Sequence, residues 1–325
     1  MKVEFIKVHG SGNDFLLIDE FSRPELFTYE ERGKLAQLLC DRENGPGADG
    51  ILFLQKSETA DGAMRVFNAD GSEASMCGNG LRCAARLLCE LLGKDSAIVE
   101  TMKANLLVQK YSDILEGVST YNVEISPVLF ELKNLPLMLD QETLVKGEIP
   151  ELSSSLEFTA LAVPNPHLIS IVGLPELSGD LQRTISEKVN GPNELFPDGV
   201  NVSFVRTLSP GQIYVRTYER GVGFTHACGT AMSASSLVTC LYGYNQTEKP
   251  IRVFNDGGMV ECIVREQEET YKIELVGNAT FVYRATAEFD FETNSVELSG
   301  QVDLGEQERY SLLQEEARKA LSQYN

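Results

Sequence analysis

The sequence predicts a protein of mixed strands and helices in two domains, the second repeating the first. Three observations lead there. Short strand-like segments alternate with few helices, and two apolar helical runs each open directly after a Cys-Gly pair. The two pairs also keep a fixed distance, since Cys228 follows Cys77 by 228 − 77 = 151 residues.

The elements can be justified in order. Alternation or short apolar runs mark strands at 3–8, 15–18, 51–54 and 64–68, separated by Gly, Asp and Asn turn signals. Residues 29–40 read as a helix with Leu35, Leu38 and Leu39 on one face. After Gly80, the residues Leu81, Ala84, Ala85, Leu88, Leu91 and Leu92 fall at helical spacing, with Gly93 as the C-cap. Strands resume near 97–101, 105–110 and 120–125, and 126–155 is an irregular crossing that contains Pro127 and Pro136. Residues 221–247 carry no Asp, Glu, Lys or Arg, which predicts a helix enclosed by a sheet of its own domain.

The repeat extends beyond the cysteines. At the same offset Arg65 meets Arg216, Phe67 meets Tyr218, Asn68 meets Glu219, Gly78 meets Gly229 and Cys89 meets Cys240. Asp49-Gly50 before ILFL is mirrored by Asp198-Gly199 before VNVSFV. Two related domains packed face to face would present equivalent points to one cleft, with a cysteine on each wall.

Composition excludes several function classes. The 325 residues, 42% of them hydrophobic, suffice for two cores. A net charge of −20 argues against nucleic acid and anionic membrane as partners. The N-terminal MKVEFIKVHG lacks the apolar core of a signal peptide, so a soluble cytoplasmic protein is expected. Seven cysteines in such a chain read as free thiols. No Cys-x-x-Cys pair and no close histidine cluster occurs, so no metal is expected. Gly45-Pro-Gly47-Ala-Asp-Gly50 satisfies G-x-G-x-x-G formally, but it follows DREN and leads into ILFL, so it reads as a strained turn. Neither a P-loop nor a G-x-S-x-G elbow occurs.

Cys77 and Cys228 are the candidates for chemistry. A thiol acts chiefly as thiolate, and a helix N-terminus lowers its pKa from about 8.5. Glycine behind each cysteine lets backbone approach a ligand, and exposed N–H groups there can hold a carboxylate. Cys40, Cys83, Cys89, Cys240 and Cys262 read instead as buried packing residues.

The segments HGSGNDF (9–15), GPGADG (45–50), FNADGSEASMCGNGLRC (67–83), VPNPH (163–167), DGVNVSFV (198–205) and YERGVGFTHACGT (218–230) together resemble the diaminopimelate epimerase family, in family order. The resemblance implies two pseudo-symmetric α+β domains, each an antiparallel β-sheet or barrel wrapped around a central helix. Residues 1–125 would form the first domain, completed by a strand returning near 278–290, and 126–277 the second. The segment 291–325 would be a helical extension. The resemblance also implies cofactor-independent conversion of LL-diaminopimelate to meso-diaminopimelate, in lysine and peptidoglycan precursor synthesis. Cys77 and Cys228 would be acid and base, with Cys77 protonating and Cys228 abstracting in that direction. His167 and Glu219 would tune the pair. Asn13, Asn68, Asn165, Asn201, Glu219 and Arg220 would contact substrate, and backbone at Gly78-Asn79 and Gly229-Thr230 would hold its reacting carboxylate.

Physical chemistry agrees with these expectations. Two bases can invert a carbon centre without moving the substrate, and thiols exchange protons efficiently near neutral pH. No pyridoxal or metal motif supplies an electron sink, so the carboxylate must carry developing charge, which two helix N-termini would stabilise. Arg220 can clamp a carboxylate and Glu219 can accept from an ammonium. By residue type alone, an Asn in a Gly-rich turn is usually structural, His167 after Pro166 is an ordinary loop residue, and Glu219-Arg220 is a plain surface pair.

Three departures from the family pattern stand out. Phe224 replaces an acidic residue in Gly223-Phe224-Thr225, which would remove a carboxylate beside the second cysteine. Ala231 replaces the glycine after Cys-Gly-Thr. Residues 291–325 extend past the family's usual end, and within them GEQERYSLLQEEARKALSQYN (305–325) reads as an amphipathic helix, with Leu312, Leu313, Ala317, Ala320 and Leu321 as an apolar stripe suited to packing or a dimer contact. A homodimer is the expected assembly. Alternatives are proline- or hydroxyproline-type racemisation, whose members typically carry histidine where Asn79 stands, and a non-catalytic amino-acid-binding homologue.

Overall fold

A computed structural model describes residues 1–24, 26–268 and 270–324. The chain divides into two compact units. Unit 1 holds Met1–Val123 and Val276–Glu315; unit 2 holds Glu124–Leu275 with the residues from Glu316 onward.

Unit 1 begins with β1 (Lys2–Gly10) and β2 (Asn13–Asp19), an antiparallel hairpin. Helix α1 (Tyr29–Leu39) then crosses over to β3 (Gly50–Gln55), which lies parallel to β2. A parallel neighbour requires such a crossover. Helix α1 starts at a capping box in which Thr28 and Glu31 satisfy each other's backbone donors. The turn before β3 is the formal G-x-G-x-x-G. Gly47 has φ +66°, and a Cβ there would stand 2.9 Å from Arg42 Cα, so the glycine serves a tight turn. Next come β4 (Gly62–Asn68) and the short β5 (Glu73–Ala74), then α2 (Gly78–Leu92), ended by Gly93 in the left-handed region at φ 63°. The strands β6 (Ser96–Glu100), β7 (Asn105–Tyr111) and β8 (Thr120–Ile125) form a meander, with β6 parallel to β4.

Unit 2 repeats this plan. Residues 126–156 carry a 3-10 turn (Leu132–Asn134), the two-residue β9 (Gly147–Glu148) and isolated bridges from Leu129 to Ala162 and from Glu131 to Thr143. Strands β10 (Glu157–Val163) and β11 (Asn165–Ile171) form the hairpin. Helices α3 (Leu174–Ser178) and α4 (Leu181–Asn190) cross to β12 (Asn201–Ser209), parallel to β11. Then follow β13 (Gln212–Glu219), β14 (Gly223–Thr225), helix α5 (Gly229–Leu241), β15 (Pro250–Asn255), β16 (Gly258–Gln267) and β17 (Thr270–Asn278). The pair β13–β15 is parallel, as β4–β6 is.

The offset survives in the registers. Ile51 faces Phe67 and Phe67 faces Glu73; 151 residues later Val202 faces Tyr218 and Tyr218 faces Phe224. Helix α2 packs against β1, β2, β3, β4, β6 and β7, and α5 against β10, β11, β12, β13, β15 and β16. Each sheet therefore wraps a central helix, an α+β fold with two pseudo-symmetric halves. The sheets are mixed, because both crossovers and both β4–β6-type pairs bring strands in parallel. Helix α5 is buried from Gly229 to Thr239, which explains why 221–247 can dispense with charge.

Returning to unit 1, β18 (Thr280–Asp290) pairs antiparallel with β1, and β19 (Ser295–Asp303) with β18. The stretch 291–325 is thus not helical throughout: Val296 to Val302 extends the sheet before helix α6 (Glu306–Leu321) begins. On α6, Leu313 and Ala317 are buried, Ala320 and Leu321 are half-buried and Leu312 is exposed, so two of the five stripe residues pack fully on their own chain.

Candidate active site

In unit 1 the turn after β5 delivers Cys77 as the N-cap of α2, with extended backbone and Sγ accepting from the Gly80 N–H at 3.4 Å. A Cβ at position 80 would come within 2.7 Å of Leu52 Cδ2, so a larger residue there would have to displace the Leu52 side chain on β3. The Cys77 thiol donates to Asn13 Oδ1 at 3.7 Å, and Asn79 Nδ2 donates to the same oxygen at 3.3 Å. Asn13 Nδ2 donates to Asp49 Oδ2 at 2.6 Å, which settles the way its amide faces. Asn79 Oδ1 accepts from Arg82, a buried guanidinium, at 3.0 Å. Gly78 and Asn79 open the helix, where N–H groups have no intrahelical acceptor. Asn68 ends β4 exposed, and its amide donates to Ser72 Oγ at 3.0 Å within its own turn.

In unit 2 Cys228 is the N-cap of α5 and is buried. Its Sγ lies 3.4 Å from Thr230 Oγ1, which lies 3.0 Å from His167 Nε2. His167 and Asn201 face each other across the parallel pair β11–β12. Asn201 Oδ1 accepts the Arg220 N–H at 2.9 Å, and the Arg220 guanidinium donates to the Asp198 carbonyl at 2.8 Å. Thr225 donates to Glu219 Oε1 at 2.5 Å. Asn165 opens β11 opposite Val163. His167 Nδ1 is buried with no hydrogen-bond partner among the described residues.

Burial dominates the electrostatics here. It pushes the Cys228 thiol well up, and the neighbouring Glu219 carboxylate adds to this. The Thr230 hydroxyl and the Ala231 N–H pull the other way and lose. Burial thus favours the protonated form of Cys228 and opposes the helix N-terminus, which favours the thiolate. Burial, then the Arg220 guanidinium, lowers His167 to about 3, which keeps its imidazole neutral.

The departure at Phe224 lies on the other side of its strand. Thr225 points toward Glu219, so by alternation Phe224 points away, against Tyr218, Arg183 and Arg216. The substitution thus removes no carboxylate from the Glu219–Cys228 pair. Ala231 corresponds to Gly80 by the offset. Where unit 1 has Leu52, unit 2 has the smaller Ser203, bonded to Thr217 at 2.9 Å.

Asp49, Arg82, Asn278 and Thr225 escaped the sequence reading as site residues. Asp49 had a signal in the mirrored Asp-Gly pairs. Arg82 had one too, as a charge embedded in the apolar start of α2. Asn278 and Thr225 had none.

Comparison with known proteins completes the picture. A family model described as diaminopimelate epimerase matches residues 5–123 and 159–282. The chain is 52% identical to a diaminopimelate epimerase of Ligilactobacillus salivarius, covering 86% of this chain and 88% of the relative. It is 47% identical to one of Listeria monocytogenes, covering 98% of both. Among solved structures it resembles a Bacillus anthracis phenazine biosynthesis protein of the PhzF family, at TM-score 0.66 and 17% identity over 89% of this chain and all of that one. It also resembles a probable proline racemase from Agrobacterium radiobacter, at TM-score 0.61 and 14% identity over 90% of this chain and 96% of that one. At these identities the structural likenesses speak for the fold alone.

Proposed function

The chain belongs to the diaminopimelate epimerase family, and from that premise we propose that it interconverts LL- and meso-diaminopimelate with Cys77 and Cys228 as a thiol/thiolate pair. The observation that carries the assignment of residues is the matched pair of cysteine N-caps, one per unit at an offset of 151.

In the LL-to-meso direction Cys228 takes the α-proton and Cys77 delivers one to the opposite face. Cys228 must first pass its own proton to the Glu219 carboxylate, its hydrogen-bond partner. Glu219 is the carboxylate that acts on its sulfur, and Thr230 links the sulfur to the neutral imidazole of His167. The N-terminal turns at Gly78-Asn79 and Gly229-Thr230 are suited to the reacting carboxylate, whose developing charge they would stabilise in the transition state. Asn13, Asn68, Asn165, Asn201, Glu219 and Arg220 are proposed to hold the substrate, the exposed Arg220 clamping a carboxylate.

The cytoplasm is the proposed compartment, supported by seven cysteines that form no disulfide among the described residues. Among the described residues no helix is long and apolar enough to cross a membrane. A homodimer is the proposed assembly. Support comes from β19, which is exposed along nearly its whole length and carries Leu298 and Val302 outward. Solution mass by light scattering tests it.

The test of the reaction is incubation with LL-diaminopimelate in heavy water, following stereochemistry and α-carbon deuterium together. Formation of meso product with solvent deuterium at the inverted carbon is expected. Turnover of proline or hydroxyproline in its place would favour the sister activity, and no exchange at all would sink the enzyme reading.

A further inference from the structure

Helix α6 lies outside the residues that the family model matches, yet it reaches the Cys77 half-site through an unbroken chain of hydrogen bonds inside unit 1. Gln307 Oε1 lies 3.0 Å from His9 Nε2. On the far side of the ring, Nδ1 lies 3.3 Å from the Gly12 N–H and 3.2 Å from Asn278 Nδ2. Both of those are donors, so Nδ1 accepts and the proton sits on Nε2, where it is donated to Gln307. Asn278 Oδ1 accepts the Ser11 N–H at 2.7 Å, and its carbonyl accepts Arg82 Nε at 3.0 Å. Arg82 Nη2 then donates to Ser11 Oγ at 3.1 Å and to Asn79 Oδ1 at 3.0 Å. Asn79 and Cys77 meet on Asn13 Oδ1.

We propose that Gln307 of α6 is a positioning residue for Cys77, acting through His9, Asn278 and Arg82; the proposal rests on the two-thiol reading above. Every link is buried or partly buried, where a hydrogen bond holds geometry more stiffly than one exposed to water. The imidazole in the middle stays neutral, since burial lowers His9 to about 4. Gln307 is not what fastens the helix. That task falls to the bidentate Glu306–Arg86 pair at 2.7 and 2.8 Å and to buried Tyr310 and Leu313. The amide is therefore free to act on His9 alone, and its removal should leave α6 docked.

The test compares the intact chain with Gln307→Leu and Gln307→Glu. Kinetics are followed alongside iodoacetamide alkylation of individual cysteines by peptide mass spectrometry, with Cys240 of the other unit as internal reference. Gln307→Leu should lower kcat about tenfold with KM changed less than about twofold. It should slow alkylation of Cys77 about threefold relative to Cys240, because the Gly80 N–H and Asn13 no longer hold the sulfur in place. Gln307→Glu keeps an acceptor opposite Nε2–H and should recover most of both. A Cys77 rate that is unchanged or faster overturns the proposal, as does one that falls together with Cys240. The alkylation result does not depend on turnover, so an intact chain that fails to epimerise would refute the reaction separately.

Discussion

The guanidinium of Arg216 lies 4.9 Å from the centre of the Phe224 ring, at the positions where unit 1 sets Arg65 against the carboxylate of Glu73. The offset of 151 relates both pairs, and the strand registers around them agree. One half of the duplication uses an ion pair to tie its short strand to the sheet; the other uses a cation over an aromatic face, with Arg183 5.0 Å from the same ring.

Because that pair lies on the face away from Glu219, Phe224→Glu should keep kcat/KM within about threefold. It would form an ion pair with Arg216 worth at most about 1 kcal/mol at this partly exposed position. Phe224→Ala should destabilise unit 2 by about 1–2 kcal/mol with the same small effect on rate. Urea denaturation and steady-state kinetics check both, and a hundredfold loss of rate in Phe224→Glu would contradict the orientation.

Cys77→Ala and Cys228→Ala should each abolish epimerisation, with losses of at least about a thousandfold, since neither thiol has a substitute. Wild-type activity should also fall on mild oxidation and return with a thiol reductant. Full activity in either alanine variant would remove that cysteine from the mechanism.

Glu219 acts on Cys228 with a definite sign. Its carboxylate raises the thiol, so Glu219→Gln should move the alkylation profile of Cys228 toward lower pH. Thr230→Val should move it the opposite way, because the hydroxyl favours the thiolate. Profiles that shift in the reversed order would refute the assignment of causes.

Two buried imidazoles predict acid sensitivity. His9 is lowered from 6.5 to about 4 and His167 to about 3, in both cases chiefly by burial. The unfolded chain therefore binds more protons than the folded one below pH 6.5. Stability is fully present above that value and is lost as pH falls through 4 and 3, by an amount on the order of 8 kcal/mol in total. Urea midpoints at pH 7 and pH 5 should differ accordingly, and His9→Gln should flatten the difference.

The sequence alone determined the duplication, the strand and helix order of the first unit, and the two cysteines at helix starts, because these depend on local spacing: alternation, the 3.6-residue period, and Gly behind Cys. Strand β19 escaped notice because its pairing with β18 is a long-range choice, and its exposed pattern lacks a buried face to mark it. The tertiary structure alone decided which way Phe224 points, why Cys228 is held up as a thiol, and that Gln307 reaches the neighbourhood of Cys77 through His9 and Arg82. Each of these turns on burial or on contacts between residues far apart in the chain, and local spacing carries no record of either.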